Sequence, residues 1–255
     1  MTIEVNSLTV GYEGKSILQD LTFTLPQNQI IALLGVNGCG KSTLLKTLAN
    51  IQPSISGNIK IDGESLSTYS SKSLAKKVAF LPQYHEIIEG ITVYDFVAFG
   101  RTPYLGLFGK LSETDKEKID FAMKLTNTYH LQNKQFSELS GGQRQSVCIA
   151  MAIAQDTNYI LLDEPTTYLD LYNQLELMNI INELKKLNKT IIMVIHDLNQ
   201  AFRYCDYLYV FAEKHLVCQG KPEEIVNEQM LKDNFKLNGT VEKCLVSHKP
   251  CFFAY

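Results

Sequence analysis

The stretch that most restricts how this chain can fold is residues 30–51, IIALLGVNGCGKSTLLKTLANI. It opens on an apolar run at 30–34, the length of a buried strand. Gly35-Val36-Asn37-Gly38-Cys39-Gly40-Lys41-Ser42-Thr43 follows, and Leu44, Leu45, Leu48 and Ile51 then recur at helical spacing. Strand, glycine loop, Lys-Ser and helix in that order form the context of a phosphate-binding P-loop. The residue types follow from the chemistry. The backbone must curl until successive N–H groups point inward, which a Cβ would obstruct. The helix that starts there aims its positive end at the same place. Lys41 adds a point charge for the β- and γ-phosphates, and the Ser42 hydroxyl suits Mg²⁺.

The flanking pattern supplies the frame for such a loop. Residues 3–10 alternate apolar and polar, 11–14 read as a turn, and 17–25 as a second strand, so antiparallel strands precede the P-loop. Tyr12, at that turn, is an aromatic able to stack on a base. A strand at 58–62, a helix at 65–77 and a short apolar strand at 78–81 come next, followed by Pro82-Gln83. From 84 to about 155 the character changes. Thr92-x-x-Asp95, Ser112-x-x-Asp115 and Ser140-x-x-Gln143 are three helix-start patterns, with helices expected through about 100, 129 and 154. Strands resume at 159–162, 190–195, 207–211 and 215–218, alternating with helices at 171–187 and 197–204, and a small helical end covers 223–235. Apolar strands alternating with helices predict an α/β fold with a parallel sheet and one helical insertion.

Composition narrows the function classes. The 255 residues suffice for one large domain or two small ones, and 45% apolar with 20% charged residues is globular. A net charge of −3 argues against a nucleic-acid binder held by bulk basicity. The opening MTIEVNSLTV lacks the basic and apolar regions of a secretory signal, and no apolar run reaches membrane-span length. The expectation is a protein soluble in itself, whose membrane association comes through a partner. Cysteines 39, 148, 205, 218, 244 and 251 contain no CxxC pair and read as reduced thiols. Cys244, His248 and Cys251 lack a fourth metal ligand at familiar spacing and read as part of a short terminal hairpin.

A P-loop needs a carboxylate partner for Mg²⁺. Asp163 sits at the end of the apolar strand 159–162, with Glu164 directly after it. Adjacent side chains diverge where a strand runs out. One carboxylate can thus hold the metal, directly or through water, while the other acts as general base on a water. Ser140-Gly141-Gly142-Gln143 is both a capping box and, with two glycines leaving the N–H groups uncovered, a second anion site at a helix start.

GVNGCGKS, LSGGQRQ and YILLDEPTTYLD, in that order, resemble the ATP-binding-cassette (ABC) ATPases, and the pattern runs from Tyr12 to about Gly220. The resemblance implies an α/β P-loop NTPase (RecA-like) core with an antiparallel β subdomain and an inserted α-helical subdomain. It places a single ATPase domain at 1–240, with core 1–83 and 156–240, helical subdomain 84–155, and a tail at 241–255. ATP and Mg²⁺ are the implied cofactors. Residue by residue, Tyr12 matches the adenine-stacking aromatic, and Gln83 a glutamine that touches Mg²⁺ or the attacking water. Asp170 matches the D-loop, after Tyr168 where a small residue or His is more frequent, and His196 the switch histidine on the γ-phosphate. Ser140, Gly141, Gly142 and Gln143 would contact the ATP of a second copy, two copies closing head to tail.

The implied role is the ATPase of a membrane transporter on the cytoplasmic face, peripheral to the membrane, bound to permease subunits and reaching an extracytoplasmic substrate-binding protein indirectly, with no nucleic acid. His196-Asp-Leu-Asn-Gln-Ala201 and Phe99-Gly-Arg-Thr-Pro-Tyr104 resemble ATPases of iron–siderophore, haem and vitamin B12 importers. An exporter ATPase and an iron–sulfur assembly ATPase are the alternatives. Aromatics at 84, 94, 96, 99, 104 and 108 divide between core and a groove for a coupling helix of the permease.

Overall fold

Alternation at the start of the chain builds the first sheet. In β1 (Ile3–Tyr12) the side chains of Ile3, Val5, Leu8 and Val10 are buried. β2 (Lys15–Leu25) runs antiparallel to it, from Ile3 opposite Leu25 to Tyr12 opposite Lys15, with bulges along the way. The apolar run of β3 (Ile30–Gly35) is buried on both faces up to Leu34, and α1 (Lys41–Leu48) follows the glycine loop. β4 (Ser56–Ile61) takes the other edge of β1, and β5 (Glu64–Ser65) completes an antiparallel sheet of order β2-β1-β4-β5. The computed structural model describes residues 2–83, 87–106, 109–167 and 169–255, so Tyr84, Phe108 and Tyr168 lie outside the described residues. The chain divides into two compact units, Met1–Thr68 with Thr190–Tyr255, and Tyr69–Lys189.

The helix expected over 65–77 does not form as one piece. Leu66–Thr68 is a 3₁₀ turn and α2 (Ser71–Leu74) is a single turn. The Thr68 hydroxyl donates to the Ser65 carbonyl at 2.7 Å, and Ser70 Oγ accepts the Ser73 N–H at 3.1 Å. Hydroxyls that bond the local backbone offer it an alternative to a continuous helix.

The second unit takes its order from helix caps. After β6 (Val78–Leu81), Thr92 Oγ1 accepts the Asp95 N–H and starts α3 (Val93–Ala98). Ser112 and Asp115 form a reciprocal capping box on α4 (Glu113–Leu125). That helix stops short of residue 129 because Asn127 is left-handed (φ 53°) and the Thr126 hydroxyl takes the Ala122 carbonyl. α5 (Gly141–Ala154) leads to β7 (Tyr159–Asp163), fully buried and parallel to β6, and α6 (Leu171–Lys186) follows. Phe96 stacks on Phe136 with centroids 4.0 Å apart, and a Cβ on Gly100 would stand 2.3 Å from the Met151 carbonyl oxygen of α5. Phe99 is exposed, whereas Tyr104 lies against the Arg101 guanidinium, 3.8 Å from ring centre to Cζ.

The chain then returns to the first unit. β8 (Thr190–Val194) and, after α7 (Leu198–Tyr204), β9 (Tyr207–Ala212) flank β3 in parallel, and β10 (His215–Gly220) turns back antiparallel on β9. Two short helices, α8 (Pro222–Ile225) and α9 (Glu228–Phe235), lead to a hairpin of β11 (Gly239–Lys243) and β12 (Pro250–Ala254). Among the described residues no helix is long and apolar enough to cross a membrane.

Candidate active site

The P-loop forms as its residue types require. Gly35 ends β3 at φ 151°, where a Cβ would lie 2.4 Å from the Phe211 carbonyl oxygen and 2.7 Å from Cys39 Sγ. Gly40 is the N-cap of α1 in the left-handed region (φ 104°), and a Cβ there would meet Ile17 at 2.5 Å. Gly40 brings no side chain to cap α1, and no acid sits in the first turn of that helix. Lys41 is 4% exposed and folds back, its Nζ donating to the carbonyls of Gly35 (2.7 Å) and Val36 (3.0 Å). Cys39 Sγ lies 3.8 Å from the same ammonium. Asn37 and Gly38 are exposed at the tip, Ser42 is half-buried, and Thr43 is buried under the helix. In the same unit Tyr12 is exposed at the end of β1, and His196 is exposed just beyond β8. Asp197 follows as the N-cap of α7, accepting the Gln200 N–H at 3.0 Å.

The second unit holds the carboxylates. Asp163 closes β7 and is 4% exposed. Glu164 departs from the strand with a left-handed backbone (φ 51°). Gln83 Nε2 donates to Glu164 Oε2 at 2.5 Å, and the Thr167 hydroxyl donates to the same oxygen at 3.2 Å. The structure thus brings together Gln83 and Glu164, which are 81 residues apart in the chain. Ser140 and Gln143 make their capping box, Gln143 N–H to Ser140 Oγ at 3.3 Å and Ser140 N–H to Gln143 Oε1 at 3.2 Å. Asp170 caps α6 through the Asn173 N–H at 2.8 Å and holds the Asn173 amide at 2.9 Å. That amide stands 3.0 Å from where a Cβ on Gly142 would be, so the second residue of α5 leaves room for the side chain that Asp170 orients.

Three supporting residues escaped the sequence reading. Gln145 holds the Pro165 carbonyl at 3.1 Å, Gln174 holds that of Leu169 at 2.9 Å, and Thr167 bonds Glu164. Gln145 falls within LSGGQRQ and Thr167 within DEPTTYLD, so proximity to a motif was the available signal.

A parallel strand ending in a glycine loop whose lysine is turned into it, in a chain with two adjacent carboxylates at a strand end, the second held by a distant glutamine, defines a P-loop nucleotide-hydrolysing protein. The profile of the ABC transporter family matches residues 18–167, and the chain belongs to that family. It binds and hydrolyses ATP. It is 40% identical to the petrobactin import ATP-binding protein FpuD of Bacillus anthracis, over 98% of this chain and 90% of that protein. It is 38% identical to the iron(3+)-hydroxamate import ATP-binding protein FhuC of Bacillus subtilis (strain 168), over 100% and 95%. Among solved structures, a chain of a transporter described as of metal-chelate type, in an inward-facing conformation, superposes with a TM-score of 0.85 at 31% identity, covering 100% of this chain and 97% of that one.

Proposed function

We propose that this chain is the ATP-hydrolysing subunit of an importer for iron–siderophore or related metal chelates. The observation that carries this reading is near full-length similarity to ATP-binding proteins named for import of petrobactin, iron(3+)-hydroxamate and ferric enterobactin. The chain would sit on the cytoplasmic face of the membrane, bound to integral permease subunits. It would serve an extracytoplasmic substrate-binding protein without touching it, and bind no nucleic acid. The domain reading we favour is one ATPase domain at 1–240, with core 1–83 and 156–240 around a helical subdomain at 84–155, and a tail at 241–255.

In this reading Tyr12 stacks on adenine. Main-chain N–H groups from Gly35 to Thr43, including those of Asn37, Gly38, Cys39 and Gly40, cradle the phosphates, and Lys41 turns from its loop carbonyls to them. The hydroxyl of Ser42, the amide oxygen of Gln83 and the carboxylate of Asp163 are hard oxygen donors of the kind Mg²⁺ accepts, Asp163 held at a buried strand end. When bound, the ion neutralises charge on the β- and γ-phosphates. Glu164, oriented by Gln83 and Thr167, takes the proton of the attacking water, and His196 contacts the γ-phosphate. Ser140, Gly141, Gly142 and Gln143 of a second copy cover the same phosphate, with Asp170 at the seam between the two copies.

The test begins with affinity purification of the chain from its own membranes. An integral subunit should co-purify, and vesicles holding the complex should take up a ferric siderophore when MgATP is supplied. Glu164→Gln should bind ATP, accumulate as a stable dimer and abolish uptake. Absence of an integral subunit would sink the transport reading. Wild-type turnover by a monomeric Glu164→Gln protein would sink the base assignment.

A further inference from the structure

We infer that the C-terminal hairpin β11–β12 is a strap on the switch helix α7, and that Asn199 is a positioning residue for His196 through that strap. The inference rests on the reading of His196 as the γ-phosphate contact. It starts from the edge of β12. Val241 faces Phe252 across the hairpin, and Cys244 N–H bonds the Lys249 carbonyl at 2.9 Å. Alternation along an antiparallel ladder then turns the N–H and C=O of Phe252 outward, away from β11. Outward groups of an edge strand need a partner. Pro250, the previous outward position, has no N–H to satisfy.

Asn199 supplies that partner. Its Oδ1 accepts the Phe252 N–H at 2.7 Å and its Nδ2 donates to the Phe252 carbonyl at 3.0 Å. One carboxamide so does the work of a third strand, which needs a donor and an acceptor on one short side chain; Asp supplies only the acceptor and Ala neither. The hairpin is also anchored to α8, where Lys249 Nζ meets Glu223 at 2.6 Å, and is closed within itself by the Phe252 ring over Gly239 of β11, where a Cβ would stand 2.4 Å from a ring carbon. A held strand therefore grips α7 at its second residue. His196 precedes Asp197, the cap of that helix, so a shift of α7 is a shift of the main chain that carries His196. This gives Asn199, within the stretch 196–201, a task that neither helix propensity nor burial asks of it: it is exposed and adds nothing to the core.

The experiment compares Asn199→Ala, Phe252→Pro and the double variant in the full-length chain with MgATP. Phe252→Pro removes the outward N–H and leaves the ladder groups between β11 and β12 in place. We expect kcat to fall about three- to tenfold in each single variant, the weight of one to two neutral hydrogen bonds. KM for ATP should stay within about twofold, because only the γ-phosphate contact is displaced. Amide hydrogen exchange over 198–204 should quicken, and the double variant should be no worse than either single one. Unchanged kcat despite faster exchange would overturn the inference, since the strap would then be structural only. Parallel loss of kcat, KM and global exchange protection would overturn it too. His196→Ala separates the two layers: wild-type kcat in that variant refutes the role of His196, whereas loss there with a normal Asn199→Ala refutes the strap alone.

Discussion

Asp115→Asn is the substitution whose cost the structure defines best. Arg101 and Asp115 are 5% and 7% exposed at the side chain, with Nε to Oδ1 at 2.8 Å. The other carboxylate oxygen accepts the Ser112 N–H at 2.9 Å and the Ser112 hydroxyl at 2.6 Å, and Arg101 Nη1 donates to the Ala154 carbonyl at 2.8 Å. An asparagine keeps the shape but has one acceptor oxygen. Whichever way it turns, its NH₂ faces either the guanidinium or the Ser112 N–H, donor against donor. The buried guanidinium also loses its counter-charge, a loss of about 3–5 kcal/mol. At about 2–4 °C per kcal/mol for a chain of this size, the melting transition of this unit should drop by about 10 °C. Leucine at both positions should cost less, about 2 kcal/mol, because no charge is stranded, although the Ala154 carbonyl, the Ser112 cap and the Tyr104 ring lose partners. Thermal unfolding with hydrogen exchange over 93–154 reads both variants. An Asp115→Asn protein within about 1 kcal/mol of wild type, or a double variant worse than the single, would refute the reasoning.

The same pair has an acid limb. Burial by itself would raise the Asp115 carboxyl, but bonds from Ser112 and Arg101 outweigh it and hold the group below the ordinary aspartate range. Its contribution to stability is therefore complete above about pH 4 and is lost as pH falls through the lower folded value. The gap between wild type and Asp115→Asn should close there.

Two further outcomes follow from close approaches. Cys39 sits beside Lys41 within the P-loop, so a maleimide adduct on it should cut ATPase activity more than about tenfold, with MgATP slowing the loss and Cys39→Ser escaping it. Hydrogen bonds from Ser247 and from the backbone at 246–247 lower Cys244 to about 7, so mass spectrometry should find it labelled at neutral pH, while Cys148, pushed up to about 12 by burial, stays unlabelled. Inactivation of Cys39→Ser at the wild-type rate would overturn this assignment. Gly100→Ala drives a Cβ against main chain of α5, and urea unfolding should show a loss of about 3 kcal/mol; a wild-type midpoint would mean that the 3₁₀ segment after α3 parts freely from α5.

What was legible in the sequence is what is local. The glycine loop, the caps at Ser112 and Ser140 and the buried strands are each set by residues within a few positions of one another, and each forms where the pattern put it. The helix expected over 65–77 failed for a local reason of the opposite kind: Ser65, Thr68, Ser70 and Ser73 trade bonds among themselves and with the backbone. Pairings at long range left no mark. Nothing near Glu164 announces that Gln83 will hold it from 81 residues away, and nothing near Asn199 points to Phe252, 53 residues on. Asn199 was legible as part of a motif, but its task depends on which edge of β12 faces outward, a property of the hairpin register.

Several polar groups assigned to nucleotide chemistry have partners within the chain. Lys41 spends its ammonium on Gly35 and Val36, Ser140 its hydroxyl on Gln143, and Glu164 an oxygen on Gln83 and Thr167. A phosphate that recruits Lys41 exchanges a bond to a neutral carbonyl for one to an anion, a gain of about 1–2 kcal/mol rather than the full strength of the new contact. For Ser140 the exchange is cheaper, because a hydroxyl can accept the Gln143 N–H while donating to a phosphate oxygen. The capping box and the anion site are compatible in one geometry, and the structural reading of LSGGQ does not compete with the functional one. Glu164 is the opposite case. Gln83 donates its amide to an oxygen of the same carboxylate that must take a proton, and the lone pair it occupies is closed to the water. The rate of the proton transfer then depends on Gln83 moving off that oxygen. On this argument Gln83→Ala has two effects of opposite sign on kcat: it frees that oxygen for the water, and it removes the bond that orients Glu164.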